Sequence, residues 1–554
     1  MGKHDNEVVR NVADLVRRAA QRNPDQVALR AVAGGALTWA ELDDQVAVAS
    51  TALLGLGLRA GDRVALQLGN TFDFPVLYFG ALRAGLVVVP ANPAYTVPEL
   101  TYLLADSGAY VLVTSSVATI EAADQLRADA PALRHVVVAA PSGPDGTEPL
   151  PALLAAAVQG HPAAVAQGEP AAVAQGEPVA TTQGGPVAAA QGVTGSIHGG
   201  EDLAVLLYTS GTSGRPRGAM LPHRALLANL DQCGAIQPPV VGPDDILLLV
   251  LPLCHVYGLN PGLGMVAWAG CTGILVDRFD PAETLALMAR CGVTNVPAAP
   301  QMYAAWAGQP GLGEGFATVR TALSGAAPLP PATLARFAAA GITVYEGYGL
   351  TETAPVLTST VVGGSAKAGS VGRPIPGVEV VLRDVTDEPV EDDDPGEIVV
   401  RGRNLFTGYW PDGSGGPDVD GWFPTGDVAF ADDDGDLHLV DRRRELILVS
   451  GFNVYPAEVE AVLLGHPAVA DVAVIGQPDD RTGETVVAYV VAEPGQALSR
   501  ESLLEWAARS LARFKLPSVI EFVAELPYSA TGKVSKARLR AAAADRARDV
   551  PSRR

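Results

Sequence analysis

Basic residues are few in this chain, and that is its first constraint. Lys and Arg number 39 against 61 Asp and Glu, a formal net charge of −22. A surface this acidic repels nucleic acid, so any affinity for phosphate must be built locally. Cysteine is scarce too. Cys233, Cys254, Cys271 and Cys291 form no CxxC pair and no ligand-spaced cluster, which argues against a disulfide framework or a thiolate metal site and reads as buried thiols in a reducing cytosol. No uninterrupted run reaches the roughly 18 apolar residues of a membrane span. The opening residues MGKHDNEVVR carry no hydrophobic signal core. The expectation is a cytoplasmic protein without an integral membrane segment, with peripheral membrane contact left open. Its 554 residues suffice for two or more domains with large cores.

What is present begins with Tyr208–Met220, YTSGTSGRPRGAM, after an apolar run, Leu203–Leu207, that reads as a buried strand. Glycines (Gly211, Gly214, Gly218) let successive backbone N–H groups turn toward one point. The hydroxyls of Thr209, Ser210, Thr212 and Ser213 add donors, and Arg215 and Arg217 add positive charge. Such a segment is a nest for a polyphosphate. It is not a Walker loop, because no Gly-Lys-Ser/Thr closes it. An ordinary surface turn rarely needs so many donors beside a buried strand.

Helix and strand signals alternate along the first ~115 residues, which points to parallel α/β layers. Thr38 and Glu41 form a capping box opening a helix to about Gly55. Thr96–Glu99 caps another helix, which Gly108 ends. The stretch Gly55-Leu-Gly57 imitates a dinucleotide fingerprint, but a helix precedes it and a strand follows, so it reads as a helix C-terminus. Residues 163–194 hold four copies of an eight-residue Ala/Gly/Pro unit. With too few large apolar residues for a core, a disordered linker over about 150–200 is expected. The α/β rhythm continues from Asp202 to about Val440. The charged run Asp441–Glu445 then marks a boundary before a compact unit over 446–540, and 541–554 reads as a tail.

Five further stretches follow the phosphate loop in order. Ser324–Leu329 (SGAAPL) is a small-residue turn suited to a flat ring lying against backbone. Glu346–Thr353 (EGYGLTET) offers an aromatic face, a hydroxyl and a carboxylate. Gly421–Asp427 puts an acid at a turn, suited to gripping a ribose diol. Asp441–Pro456 joins a charged hinge to a glycine turn, and Pro527–Lys533 ends in a lysine on a glycine-containing loop. Singly, each is as well read as ordinary core, turn or surface.

Together and in this order they resemble the motif series of the adenylate-forming superfamily, which includes acyl-CoA synthetases, firefly luciferase and the adenylation domains of peptide synthetases. The resemblance runs from about Val12 to Arg540, the repeats excepted. It implies an α/β fold with a large multi-sheet N-terminal domain (1–440), a hinge at 441–445 and a small mobile α+β C-terminal domain (446–540) carrying a catalytic lysine. It implies ATP, Mg²⁺ and coenzyme A as cofactors and a small carboxylic acid as substrate. The acid is coupled to AMP with loss of pyrophosphate and then passed to a thiol.

By the resemblance, Lys533 bridges the substrate carboxylate and the α-phosphate, Thr351 bonds the α-phosphate, and Glu352 holds the metal. Thr209, Ser210, Gly211, Thr212, Ser213, Gly214, Arg217 and Gly218 cradle the departing phosphates. Gly325, Ala326, Ala327 and Tyr348 line the adenine slot, Glu346, Gly347 and Gly349 belong to the nucleotide site, and Asp427 with Arg442 holds the ribose. Arg444 corresponds to the family's hinge residue, while Gly451 and Phe452 belong to the pantetheine tunnel. His255, Tyr257, Gly258 and Gly349 line the acyl pocket. Arg217 stands where the family usually has Lys, and Lys536 where Arg is frequent. The stretch around His255 lacks the Phe-Asp pattern of amino-acid-activating domains. The nearest look is therefore to bacterial medium- and long-chain fatty-acid and 4-coumarate-type CoA ligases. A fatty acyl-AMP ligase that loads a carrier protein is the alternative.

Overall fold

The computed structural model describes residues 9–32, 34–160, 198–209, 216–384, 386–390, 394–442, 445, 447–449, 452–479, 483–528, 534–536, 538–540 and 542–543. They fall into two compact units. The larger comprises residues 1–368, 372–379 and 401–423, and the smaller 369–371, 380–400 and 424–554. The sequence places its boundary at Asp441–Glu445. By compactness the division comes earlier, because Pro424–Val440 belongs with the smaller unit.

Two sheets build the larger unit. One has seven strands, running Glu148–Pro149, His135–Val138, Val111–Thr114, Arg63–Gln67, Val87–Pro90, Leu203–Thr209 and Arg217–Pro222 in spatial order. Its pairs are parallel except the last, where Leu203–Thr209 turns back on Arg217–Pro222. Strands such as Val111–Thr114 are buried throughout, as expected of a sheet covered on both faces. The local signals hold. The helix Trp39–Gly55 opens on a reciprocal capping box between Thr38 and Glu41. The helix Val97–Ser107 ends at Gly108 in the left-handed conformation, where a residue without Cβ escapes the steric penalty.

The second sheet has nine strands, with Ile246–Leu249, Asn295–Ala298, Thr321–Ser324 and Val344–Gly349 among them. Asn295–Ala298, Thr321–Ser324 and Val344–Gly349 run parallel. Thus SGAAPL and the end of EGYGLTET leave the sheet from neighbouring carboxyl ends, the usual side for ligands in open α/β sheets. Beneath them lies an aromatic cluster. Phe337, fully buried, meets Tyr303 at 5.4 Å and Phe316 at 5.2 Å between ring centroids, and Trp306 meets Tyr303 at 5.5 Å.

The smaller unit has a sheet ordered Phe452–Val454, Ile447–Val449, Gly483–Ala492 and Val469–Asp479, with Val519–Phe522 beside Gly483–Ala492. The helices Pro456–Leu464 and Arg500–Ala507 cover it through Val459, Leu463 and Leu503.

One boundary needs correction. Leu150–Gly160 is helical and residues 198–200 are described, so the expected linker over about 150–200 is too wide. Its Ala-rich start continues a helix instead of ending the fold. The repeats at 163–194 lie outside the described residues. Among the described residues, no helix is long and apolar enough to cross a membrane. The cysteines are free, and burial pushes the thiols of Cys233, Cys254 and Cys271 up to about 12.

The aromatic cluster sits on the helix Pro331–Ala339 that follows SGAAPL, so its packing supports the site. Phe337→Ala should lower the unfolding free energy by ~3–5 kcal/mol, the usual cost of emptying so buried an aromatic site. Urea unfolding reads this, and a loss below about 1 kcal/mol would show the cluster to be dispensable.

Candidate functional site

The segment read from the sequence as a phosphate loop joins the two strands of a hairpin. Its first strand ends at Thr209, its second begins at Arg217, and the two residues are register partners. Ser210, Gly211, Thr212, Ser213 and Gly214 lie outside the described residues. Arg217 and Gly218, which the sequence reading puts in the cradle, are the first residues of the returning strand. A Cβ on Gly218 would stand 2.8 Å from Leu206 Cδ1 and 3.3 Å from Tyr208 Cζ, so a side chain there would displace the ends of those two side chains. Tyr208 Oη donates to Asp106 Oδ2 at 2.5 Å, and Tyr102 Oη donates to the Pro216 carbonyl at 2.9 Å. Both ends of the loop are thereby fixed to the helix Val97–Ser107.

The returning strand has a further neighbour. Thr407 N donates to Met220 O at 3.0 Å, Met220 N to Gly408 O at 3.0 Å, and Trp410 N to Gly218 O at 2.8 Å. Trp410 Nε1 reaches Asp106 O at 2.9 Å. Segment 407–410 thus lies along the strand that leaves the phosphate loop. From it, Tyr409 Oη donates to Glu352 Oε1 at 2.6 Å, while the Arg217 guanidinium carbon stands 3.7 Å from the Tyr409 ring centroid. Thr209, Arg217, Tyr409, Thr351 and Glu352 all belong to the larger unit.

Thr351–Thr353 forms one turn of 3-10 helix after Val344–Gly349. Leu350 N donates to Pro355 O at 3.2 Å, which brings that carbonyl against Gly349. A Cβ on Gly349 would stand 1.8 Å from the Pro355 oxygen, so this position admits no side chain. Behind the turn runs a buried amide network. Asn404 Nδ2 donates to Thr353 O at 2.8 Å, Gln232 Nε2 donates to Asn404 Oδ1 at 3.2 Å, and Asn229 Nδ2 donates to Gln232 Oε1 at 3.3 Å and to Val356 O at 2.8 Å. Satisfied networks of this kind hold a backbone in one arrangement.

Glu346 sits one strand in, 7% exposed. Its Oε2 accepts from Leu329 N at 3.1 Å, which ties SGAAPL to the neighbouring strand. Burial raises its carboxyl above the usual range. Its Oε1 and the Ser324 Oγ are buried without a hydrogen-bond partner among the described residues, and Ser324 and Glu346 are register partners. Gly347 lies in the same strand, and Tyr348 is mostly buried there. Ala326 takes a positive φ of 74°, a strained conformation for a residue with a Cβ, in the small-residue turn with Ala327.

Tyr257 occupies a place the sequence did not suggest. Its ring lies on Gly325, where a Cβ would stand 3.0 Å from Cε1, and its Oη donates to Leu323 O at 3.1 Å. One face of the SGAAPL turn is therefore already covered by a ring of the protein. Burial raises the Tyr257 phenol. His255 N donates to Pro252 O at 3.0 Å, and Nδ1 accepts from Tyr257 N at 3.3 Å. Gly258 opens a π-helix, Gly258–Gly264, and its Cβ would meet Pro252 O at 2.3 Å.

In the smaller unit, Asp427 is not at a turn. It is buried in the strand Trp422–Ala431, directly opposite Arg442 of Leu437–Arg442. The proposed ribose pair is thus brought into register by an antiparallel ladder. Gly426, at φ 78°, gave the stretch its turn-like look. For Arg442 and Phe452 only the backbone is described. Lys533, Arg444 and Gly451 lie outside the described residues. Lys536 pairs with Glu445 and Glu460, each at 2.9 Å. Sequence reasoning missed Asn404 and Tyr409. The only signal was an Asn and a Gly-Tyr-Trp in a stretch rich in glycine, RNLFTGYWPDGSGG.

Comparison with known proteins bears on this geometry. Residues 16–410 match the AMP-binding enzyme family, and residues 458–533 match the AMP-binding enzyme C-terminal domain. A long-chain-fatty-acid–CoA ligase of Escherichia coli O157:H7 is 33% identical, with 96% of this chain and 94% of the relative covered. A feruloyl-CoA synthase of Amycolatopsis sp is 36% identical over 94% and 97%. The crystal structure of ATP-bound MatB from Rhodopseudomonas palustris superimposes with a TM-score of 0.81 at 32% identity, covering 97% of this chain and 99% of that one. The hairpin-closed phosphate loop, the Thr351–Thr353 turn and the family match over most of the sequence agree: the chain belongs to the AMP-binding enzyme family.

Proposed function

We propose that this protein is an ATP-dependent carboxylic acid–CoA ligase. It activates a medium- or long-chain fatty acid as its acyl adenylate and then forms the thioester. The observation that carries the proposal is the placement of Glu352 and Thr351 beside the strand that leaves the phosphate loop, joined through Tyr409. The relatives named as fatty-acid–CoA ligases support the choice of acid. The feruloyl-CoA synthase supports an aryl acid as the second reading.

A carboxylate acylates poorly, because its leaving group would be oxide. Attack of a carboxylate oxygen on the α-phosphorus of ATP expels pyrophosphate and gives a mixed anhydride. A thiol then attacks the acyl carbon and AMP leaves with the bridging oxygen. The first step brings two anions together, so fixed donors and positive charge must meet them. In a chain of net charge −22 these are local. Lys533 bridges carboxylate and α-phosphate, Thr351 donates to the α-phosphate, and residues 209–218 hold the departing phosphates. Lys533 serves adenylation, while Arg444, Gly451 and Phe452 serve thioester formation.

Mg²⁺ fits the donor set. This ion favours one or two carboxylates with phosphate oxygens and water over a protein cage, and Glu352 is a half-buried carboxylate beside the Thr351 hydroxyl. Glu352 would hold the ion, which when bound would neutralise charge on the phosphates. Glu346 Oε1 and Ser324 Oγ, without partners among the described residues, support an adenine edge at the carboxyl ends of their strands, since buried polar atoms ordinarily find partners.

Three outcomes test this reading. Pyrophosphate exchange into ATP should depend on fatty acids in a panel of fatty, aromatic and amino acids, with CoA thioesters found by mass spectrometry. Exchange without thioester would favour a carrier protein as acceptor, and no exchange with any acid would refute the proposal. Lys533→Ala should slow exchange at least ~100-fold, the scale for losing a charge-stabilising donor, yet retain thioester formation from supplied acyl-AMP. Equal loss of both steps would contradict the division of labour. Finally, Glu346→Gln keeps an acceptor for Leu329 N and removes a buried charge. A carboxyl whose folded pKa is raised destabilises the fold as pH climbs from its ordinary value through the raised one. The thermal stability of the Gln variant should therefore match wild type near pH 4 and exceed it at pH 8. An unchanged difference across that range would contradict the raised carboxyl.

A further inference from the structure

The Tyr409 side chain is fixed on several sides. Its ring meets Phe406 edge to face at 5.1 Å. Arg217 covers it at 3.7 Å, and a Cβ on Gly415 would stand 3.2 Å from its Cδ2 and 3.7 Å from Arg217 Nη2. Its backbone is also fixed: Tyr409 N donates to Ser414 O at 3.0 Å, Gly413 N donates to Tyr409 O at 2.8 Å, and the residue bridges to Ala219. A phenol held this way is a stationary donor. Glu352, by contrast, stands on a short 3-10 turn with its backbone carbonyl accepting from Phe406 N at 2.9 Å. The 2.6 Å bond from the phenol therefore sets the carboxylate, not the reverse.

We propose that Tyr409 is a positioning residue for the first half-reaction: its phenol holds one oxygen of Glu352 so that the other faces the metal–phosphate complex, and its ring seats Arg217 at the exit of the phosphate loop. One side chain then joins Glu352 to Arg217, the first residue of the strand that leaves the phosphate loop. The arrangement also gives a reason for Arg217 where the family usually has Lys. A planar guanidinium lies flat on an aromatic ring, whereas an ammonium is a hydrated point charge on a flexible stem. The proposal rests on the reading of Glu352 as the carboxylate that holds Mg²⁺.

The test uses the full chain and two readouts, calorimetric binding of ATP against Mg²⁺ concentration and acid-dependent pyrophosphate exchange. Tyr409→Phe keeps the ring, its contact with Phe406 and the seat of Arg217. It should bind ATP without Mg²⁺ as wild type does, yet raise the Mg²⁺ concentration for half-maximal ATP binding about tenfold, the scale for losing one hydrogen bond to a charged group. Saturating Mg²⁺ should restore most of the exchange rate. Tyr409→Leu, which also unseats Arg217, should weaken ATP binding with or without Mg²⁺. In a Glu352→Gln background the Phe substitution should add nothing to the Mg²⁺ dependence. Wild-type Mg²⁺ dependence in Tyr409→Phe, or the same loss with and without Glu352, would overturn the positioning role. If Glu352→Gln alone leaves the Mg²⁺ dependence intact, the metal assignment itself is wrong and the proposal falls with it. An impaired Glu352→Gln beside an unaffected Tyr409→Phe would refute Tyr409 alone.

Discussion

The pairing of segment 407–410 with the strand Arg217–Pro222 is the constraint on which the described site depends. Its backbone hydrogen bonds, Thr407 N to Met220 O, Met220 N to Gly408 O and Trp410 N to Gly218 O, fix the exit of the phosphate loop against a distant part of the chain. Everything near the Glu352 carboxylate follows from that register. A slip of one residue would turn Tyr409 to the opposite face, and both its bond to Glu352 and its contact with Arg217 would be lost. The amide network through Asn404, Gln232 and Asn229 supports the same turn from behind. Two separate parts of the larger unit therefore hold the Thr351–Thr353 turn.

Charge explains why such rigidity is needed. With 61 acidic against 39 basic residues, the protein cannot draw ATP to a broad positive surface. Donors must already converge where phosphate is to sit, because reorganising them during reaction would consume their advantage. On the proposed function, Arg217 stacked on Tyr409 supplies such charge, while Glu352 held by the phenol and Gly349 pressed against the Pro355 carbonyl fix the neighbouring turn. The buried Glu346, with one oxygen bound to Leu329 N and the other without a partner among the described residues, is a cost accepted at the same end of the sheet.

Local chemistry was legible in the sequence, and long-range pairing was not. The capping box at Thr38 and Glu41 and the left-handed Gly108 are each written within a few residues, so the sequence alone places those helix ends. The motif order from Tyr208 to Lys533 was legible through resemblance. Asp427 was misplaced because Pro424 and Gly426 look like a turn, whereas both lie within the strand Trp422–Ala431, which sets Asp427 opposite Arg442. Leu150–Gly160 was misread because alanine-rich sequence suits a linker as well as a helix. Tyr409 left only a Gly-Tyr-Trp in a glycine-rich stretch, since its partner Glu352 is 57 positions away and only the fold joins them.

The central claim is that this chain activates a carboxylic acid by transfer to the α-phosphate of ATP. A fatty acid carrying ¹⁸O in both carboxylate oxygens, turned over with ATP and coenzyme A, tests it most directly. The account predicts AMP bearing one ¹⁸O, because the oxygen that attacks phosphorus stays with AMP when the thiol takes the acyl group. Unlabelled ADP in place of AMP, with the label in inorganic phosphate, would mean activation at the γ-phosphate and would contradict it.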